Sequence, residues 1–277
     1  MYRHSALGAY GYARSLEECA LAIREQALGP EHPDTSGSLG HIGFLIERQG
    51  HLDEALPLYE RALAIDQKIF GPEHRRTATN LHSLGRLLCA QGDFARARSF
   101  QERAVAIYEK VLGPEHADTA ISIHNLAFTI QAQGDLAAAR PLLERALAIN
   151  EKVLGPQHRF TASGLSSLAS CIQAQGDPHE AEPLDRRAID IGQKVLGSDH
   201  TWTQRWSSNY ARLLLGTGRA AAALEIAQPA LTAHEAASGP HHRWTKDSAR
   251  VTADALDALD RHAEATALRA RYGIGSP

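Results

Sequence analysis

The stretch LGPEHADTA, from Leu112 to Ala120, recurs in varied form six times along the 277-residue chain. Its glycine returns every 42 residues without drift, and each glycine is followed by a histidine after three positions and by a threonine after six. The glycines are Gly29, Gly71, Gly113, Gly155, Gly197 and Gly239; the histidines are His32, His74, His116, His158, His200 and His242; the threonines are Thr35, Thr77, Thr119, Thr161, Thr203 and Thr245. A fixed period of this length predicts one supersecondary unit that is copied and stacked, rather than one closed globular core.

Each repeat contains two helical patterns, and we call the first one helix A. In the third repeat its apolar positions follow the i, i+3, i+4, i+7 spacing of an amphipathic helix: Ile123, Leu126, Ala127 and Ile130. The small residue in the third of these slots allows a neighbouring backbone to approach closely. A Gln-Gly pair at 133–134 ends helix A, because glycine readily adopts the left-handed conformation found beyond a helix C-terminus.

Helix B fills the second half of each repeat. In the third repeat it reads AAARPLLERALAINEKVL, and the Gly-Pro pair at 155–156 is a strong signal for its end. An aspartate that can cap the N-terminus of helix B precedes it in three repeats, as Asp93, Asp135 and Asp177. The pattern therefore predicts an all-α chain of about 13 helices arranged in antiparallel pairs.

The whole chain, residues 1–277, is predicted to form a single array. Its segments are an unpaired N-terminal B helix at 1–28, repeats at 29–70, 71–112, 113–154, 155–196 and 197–238, and a polar capping repeat at 239–277. The first B helix has an apolar flank with no A helix to cover it. Three explanations are open: a piece cut from a longer protein, a local cap by the first residues, or packing against another chain, which includes a homodimer through this helix.

Composition excludes several classes of function. The net charge of −3 gives no electrostatic footprint for nucleic acid or for an anionic membrane surface. No apolar run is long enough for a membrane span, and the first residues lack the apolar region of a signal peptide, so we expect a soluble, cytoplasmic protein. The three cysteines, Cys19, Cys89 and Cys171, follow no ligand spacing, and no cofactor or metal is expected.

The small-residue pattern, with Gly or Ala in helix A and two alanines seven apart in helix B, resembles the tetratricopeptide repeat (TPR). The alanine pairs are Ala55 and Ala62, Ala97 and Ala104, Ala139 and Ala146, and Ala181 and Ala188. The 42-residue length and the phrase HNLAFTIQAQGDLAAARPLLERALAINEKVLGPQH, at 124–158, look like the kinesin-light-chain type of this repeat, which also occurs widely in bacteria. The resemblance implies a right-handed superhelix of helix pairs whose A helices line a concave groove that binds peptides or partner proteins.

The side chains of helix A that lie beside the buried stripe are the candidate peptide-binding residues. They are His82, Arg86, His124, Asn125, Phe128, Gln131, Ser166, Arg205, Asn209 and Arg212. Only Asn125 and Asn209 match the second asparagine of the Asn-Asn-Leu-Ala phrase by which kinesin-light-chain repeats hold a peptide backbone. Arginines and aromatic rings suit an acidic or aromatic-bearing segment that extends over the second to fifth A helices. The aspartates of the last repeat, Asp247, Asp254 and Asp257, are predicted to repel that segment.

Two other functions are alternatives to this interaction module. In the first, the groove is an enzyme or small-molecule site in which His82 and His124 act as acid and base and Arg86 holds an anion. In the second, the chain is the regulatory part of a larger signalling or transcription protein. The repeat histidines and threonines are interpreted as turn and helix-start residues. Three aromatic residues in one slot of the repeat are interpreted as packing between repeats: Phe160, Trp202 and Trp244.

Overall fold

The computed structural model describes residues 2–275, and the side chains of residues 10–275. This part of the chain contains thirteen α-helices and no strand, which confirms the predicted all-α fold class. The helices are α1 (Tyr2–Leu28), α2 (Pro33–Gln49), α3 (Leu52–Phe70), α4 (Arg75–Gln91), α5 (Phe94–Leu112), α6 (Ala117–Ala132), α7 (Leu136–Val153), α8 (Arg159–Ala174), α9 (Pro178–Val195), α10 (Thr201–Gly216), α11 (Ala220–Ser238), α12 (Arg243–Asp257) and α13 (His262–Tyr272). None of the described helices is both long and apolar enough to cross a bilayer.

The repeated Gly-His-Thr motif builds the turn that enters each A helix. In the third repeat Gly113 has φ +94°, which favours glycine. His116 is the N-cap residue of α6, and its Nδ1 accepts a hydrogen bond from the backbone N–H of Asp118 at 3.0 Å. The Thr119 hydroxyl donates to the carbonyl of Gly113 at 2.9 Å and so closes the turn. The same histidine cap begins α2, α4, α8, α10 and α12, so the predicted turn and helix-start role is confirmed.

The B helices begin with aspartate caps where the sequence predicts them. Asp93 accepts from the backbone N–H of Arg96 at 3.2 Å, and Asp177 accepts from that of Glu180 at 3.0 Å. Asp135 does the same ahead of α7, with a distance of 3.0 Å to the nitrogen of Ala138. A carboxylate at this position satisfies one of the backbone donors that every helix N-terminus leaves without an intrahelical partner.

The chain divides into two compact units, and the first comprises residues 3–149. Within it the predicted stripe of helix A is buried; in α6 it consists of Ile123, Leu126, Ala127 and Ile130. The third slot of helix A must hold a small residue because helix B packs closely against it. A Cβ on Gly43 would lie 3.2 Å from the ring of Tyr59, and one on Gly85 would lie 2.5 Å from the side chain of Gln101.

The second unit comprises residues 150–277 and has an aromatic cluster that the first unit lacks in its described part. Trp202 of α10 and Trp244 of α12 pack edge to face, with ring centroids 4.9 Å apart, so their predicted role in packing between repeats is confirmed. Beside them His234 is fully buried. Its Nδ1 lies 2.8 Å from the hydroxyl of Ser248, and its Nε2 lies 3.1 Å from the carbonyl oxygen of Thr201.

Candidate functional site

In the first unit, helices α2, α4 and α6 present one equivalent slot in succession, occupied by Phe44, Arg86 and Phe128. The two phenylalanines are 46% and 54% exposed, although rings of this size are normally buried. The same three helices also carry the polar candidate residues of this unit. We call the following set the unit 1 surface: Phe44, Glu47, His82, Arg86, His124, Asn125, Phe128 and Gln131.

The positive charge of Arg86 is already paired. Its Nη2 lies 2.6 Å from Oε2 of Glu47 in α2, and its Nη1 contacts the other carboxylate oxygen. Burial would lower the pKa of Arg86, but the hydrogen bonds and charge of Glu47 raise it. Tyr59 donates its hydroxyl to the same carboxylate at 3.3 Å, and burial, together with the charge of Glu47, raises the pKa of this phenol. Arg86 is therefore part of a neutral cluster and is not a free cation.

Burial favours the neutral form of both candidate histidines of this surface. Burial, assisted by the charge of Arg86, lowers the pKa of His82 to about 4. Burial also lowers the pKa of His124, against a hydrogen bond with Asn125 that raises it. The amide nitrogen of Asn125 lies 3.1 Å from Nε2 of His82, so this asparagine links α6 to α4.

These contacts bear on the hypothesis of an enzyme. His82 and Arg86 are close enough to interact electrostatically, as that hypothesis requires. The guanidinium group, however, is bound to Glu47, and both imidazoles are half-buried in surroundings that favour their neutral form. Within the described part of the chain, no three His, Cys, Asp or Glu residues are grouped so that they could hold a metal ion.

In the second unit, the remaining candidates lie on α8 and α10. We call Arg205, Asn209, Arg212 and Asp247 the unit 2 surface. The candidate Ser166 is only 1% exposed, so the structure does not place it on this surface. Arg212 binds Oδ1 of Asp247 at 2.8 Å, and Arg205 contacts Oδ2 of the same carboxylate. Burial would raise the pKa of Asp247, but the two arginines lower it. Two guanidinium groups share one carboxylate, so this group of three carries one excess positive charge.

This arrangement corrects one expectation from the sequence. Asp247 is not a free negative charge, because Arg205 and Arg212 both bind its carboxylate. Asp254 and Asp257 both bind Arg269 of α13, so these two carboxylates share one guanidinium group. Arg205 and Arg212 belong to α10 of the preceding repeat, and Arg269 belongs to α13 of the same repeat, so the order of residues within α12 does not reveal these partners.

Two asparagines occupy the same position and make equivalent bonds. Asn209 donates its amide to the hydroxyl of Ser166 at 3.0 Å, as Asn125 bonds to His82 in the first unit. In both cases the partner is 43 residues earlier. Each asparagine thus ties one A helix to the preceding A helix, a role that the family resemblance does not include.

The sequence interpretation missed two residues, Glu47 and Asp185. Asp185 is only 1% exposed in α9, and burial raises its pKa to about 7, although the nearby Ser166 hydroxyl and the charge of Arg212 lower it. A signal for it was present in the repeat alignment. The equivalent slot in earlier B helices is uncharged, and its occupants are Tyr59, Gln101 and Leu143. A single ionisable residue in a slot that is otherwise buried and uncharged marks a special environment.

Comparisons with known proteins agree with this architecture. A sequence model of the tetratricopeptide repeat matches five overlapping segments, at residues 4–65, 34–110, 82–152, 118–171 and 160–233. The nearly identical TPR-like repeats of a candidate kinesin light chain from Podosopora anserina are 30% identical, with a TM-score of 0.60, covering 74% of this chain and 97% of that one. A second structure of those repeats, carrying a single substitution, is 29% identical, with a TM-score of 0.61 and the same coverage.

A third solved structure is similar in fold alone. BtubC (BKLC) from P. vanneervenii has a TM-score of 0.63 and 17% sequence identity, covering 88% of this chain and 95% of that one. Among curated proteins, none matches the sequence.

Proposed function

Because this chain belongs to the tetratricopeptide-repeat family, we propose that it is a protein–protein interaction module that binds an extended peptide or partner segment on the A-helix surfaces of its two units. The observation that carries this proposal is the exposure of Phe44 and Phe128 in one slot of α2 and α6. About half of each ring's surface remains in contact with water. Rings that are exposed in register on one face are typical of a binding surface.

The distance between the two rings determines the spacing of the peptide side chains that would fit the unit 1 surface. Packed helices lie roughly 8–10 Å apart, so two steps from α2 to α6 separate the slots by roughly 16–20 Å. An extended peptide rises about 3.3 Å per residue and covers this distance in about five or six residues. We therefore propose a segment with two apolar or aromatic side chains at that spacing, and with an uncharged residue between them opposite the neutral pair of Arg86 and Glu47.

The preference for acidic ligands belongs, in this proposal, to the unit 2 surface. Arg205 and Arg212 have one excess positive charge over Asp247, and a ligand carboxylate would accept hydrogen bonds from either guanidinium group. The proposal thus keeps the aromatic and acidic partner chemistry expected from the sequence, but assigns the two properties to different units.

The test is selection from a displayed library of random peptides, followed by calorimetry with the enriched peptides. We expect enriched sequences with two apolar residues five or six apart, and at least a tenfold loss of affinity in Phe44→Ala/Phe128→Ala. The matched control is Val111→Ala, which removes an equally exposed apolar side chain from α5. Enrichment without this spacing, or equal affinity for the double variant, would overturn the assignment to the unit 1 surface.

We also propose that the protein self-associates through α1, because a slot that is buried in other B helices is open in this one. Ile23 is 66% exposed. The equivalent isoleucines of the next four B helices are between 1% and 7% exposed: Ile65, Ile107, Ile149 and Ile191. In the third repeat, Ala120 and Ile123 of helix A provide the cover. A second protein chain would provide equivalent cover for Ile23.

A further inference from the structure

One face of α1 carries a row of exposed, uncharged side chains. It consists of Tyr12, Leu16, Cys19, Ile23 and Ala27, which we call the α1 stripe. Steps of three and four residues keep them on the same side of the helix. The opposite side of α1 packs against its own chain, where Leu21 joins the core of the first unit and Arg24 bonds to Ser38.

In the part of α1 whose side chains are described, the charged residues lie off the stripe and are paired within the chain. Arg14 binds Glu18 at 2.7 Å, and Arg24 binds Glu17 at 3.2 Å. Glu25 accepts from Arg61 of α3 at 2.6 Å. When identical surfaces meet, charged residues near the two-fold axis approach their own copies and repel each other. The α1 stripe has no charge, so a second copy of the chain can cover it without this cost.

We propose that two copies of the chain pair their α1 stripes in antiparallel orientation, with Tyr12 of one copy opposite Ile23 of the other and Leu16 opposite Cys19. This arrangement rests on the proposed self-association through α1. From Tyr12 to Ile23 the stripe residues are separated by four, three and four positions, and this order is the same when the helix is read backwards. Each of these four residues therefore meets another stripe residue when the second helix runs in the opposite direction.

Packing and electrostatics both favour the antiparallel orientation over the parallel one. Antiparallel pairing places the large Leu16 against the small Cys19, as close packing requires. Parallel pairing would place Cys19 on Cys19 and Tyr12 on Tyr12, which leaves a gap at one level and crowding at another. Antiparallel helices also oppose their macrodipoles.

The pairing is expected to be reversible. Stable complexes bury about 800 Å² on each partner, and one helix face offers less than this area. We therefore expect a monomer–dimer equilibrium that depends on protein concentration. Two copies of a 30.0 kDa chain differ enough in mass for sedimentation equilibrium to resolve them.

The first measurement is sedimentation equilibrium of the full chain over a range of concentrations. We expect the dimer to dissociate at least tenfold more readily in Ile23→Glu than in the wild type. Val111→Glu is the matched control, because it places the same charge at an exposed apolar position on α5. Circular dichroism verifies that each variant keeps its helical content. A chain that is monomeric at all concentrations would overturn both the self-association and this arrangement.

The second measurement tests the orientation by disulfide formation under a mild added oxidant. Cys19 is exposed, whereas Cys89 is half-buried and Cys171 is buried. The wild type is mixed with the double variant Leu16→Cys/Cys19→Ser, and the joined peptides are identified by mass spectrometry. We expect the mixed dimer, with position 16 joined to position 19, to form fastest. Faster joining of position 19 to 19, or a dimer that Ile23→Glu does not weaken, would overturn the antiparallel arrangement while leaving self-association in place.

Discussion

Arg86 of α4 places both terminal guanidinium nitrogens on the carboxylate of Glu47 in α2, and this pair joins the A helices of two successive repeats. This ion pair changes which groups the unit 1 surface exposes. It removes a free cation from the unit 1 surface, where the two phenylalanines, Phe44 and Phe128, remain exposed.

A double-mutant cycle on this pair should show strong coupling. Arg86→Ala leaves the carboxylate of Glu47 largely buried without its partner, so we expect a loss of about 1–3 kcal/mol in the free energy of unfolding. Arg86→Ala/Glu47→Ala should be more stable than Arg86→Ala alone, because no charge is then left unpaired. Urea unfolding measures both. The exposed pair of Lys110 and Glu73 is the control, and its removal should cost less than about 1 kcal/mol. Additive losses at Arg86 and Glu47 would contradict the structural account.

The histidine that begins each A helix should be replaceable by other capping residues. His116→Ala should lower the free energy of unfolding by about 1 kcal/mol, because the backbone N–H of Asp118 loses its acceptor. His116→Asn should retain most of the stability, since asparagine is a preferred cap. Thermal and urea unfolding of the three proteins provide the comparison. Equal losses in both variants would show that the ring stabilises the turn by packing rather than by capping.

Leu126 and Phe128 are two residues apart in α6, but their substitution should affect different properties, namely stability for Leu126 and peptide binding for Phe128. Leu126→Ala should cost about 2–5 kcal/mol of stability, because it removes a large side chain from a packed stripe. Phe128→Ala should cost little stability and should weaken peptide binding. Unfolding and calorimetry are measured on the same preparations. A large stability loss in Phe128→Ala would mean that its ring packs within the protein.

Acid should destabilise the protein through its buried histidines. The pKa of His82 is lowered from 6.5 to about 4, so the unfolded chain binds a proton more readily than the folded one. The stability from neutral His82 is complete above about pH 6.5 and is lost as the pH falls to about 4. The pKa values of His124 and His234 are also lowered by burial. Unfolding between pH 7 and 4 should show a shallower decline in His82→Gln; an unchanged slope would refute the assignment.

Asp185 should act with the opposite sign. Its pKa is raised to about 7 in the folded chain from an ordinary value of 3.8, so its contribution is most favourable below about pH 4 and declines as the pH rises to about 7. Asp185→Asn should therefore raise the melting temperature at pH 8 more than at pH 4. Melting curves of wild type and variant at the two pH values test this expectation. An equal shift at both pH values would indicate a packing effect in place of titration.

Much of the fold follows from local features of the chain. The recurring Gly-His-Thr motif builds its turn from bonds within six residues, between Gly113, His116 and Thr119. The buried stripe of α6 follows from helical periodicity, since Leu126 and Ile130 must lie on one side of any helix formed there. Features of this kind depend on neighbours in sequence, and they repeat whenever the sequence repeats.

The charge and exposure of the candidate site residues could not be predicted, because they depend on contacts with residues that are distant in sequence. Arg86 could be predicted to lie beside the stripe, but its charge is cancelled by Glu47, 39 residues earlier. The same holds for Arg212 and Asp247, which are 35 residues apart. The repeat period brings such pairs together, but side-chain rotamers and the packing between helices decide which of several polar neighbours form a pair.

The amino-acid sequence by itself determined the repeat, its helices, its turns and the family, because each is encoded in spacing along the chain. Only the tertiary structure decided which of the candidate residues stay exposed and unpaired, since burial and charge pairing arise between helices. Arg86 and Asn125 are engaged in contacts between repeats, whereas Phe128 is left exposed. The free energy of burying a polar or charged side chain depends on the groups that replace the water around it, and here those groups are supplied by other repeats.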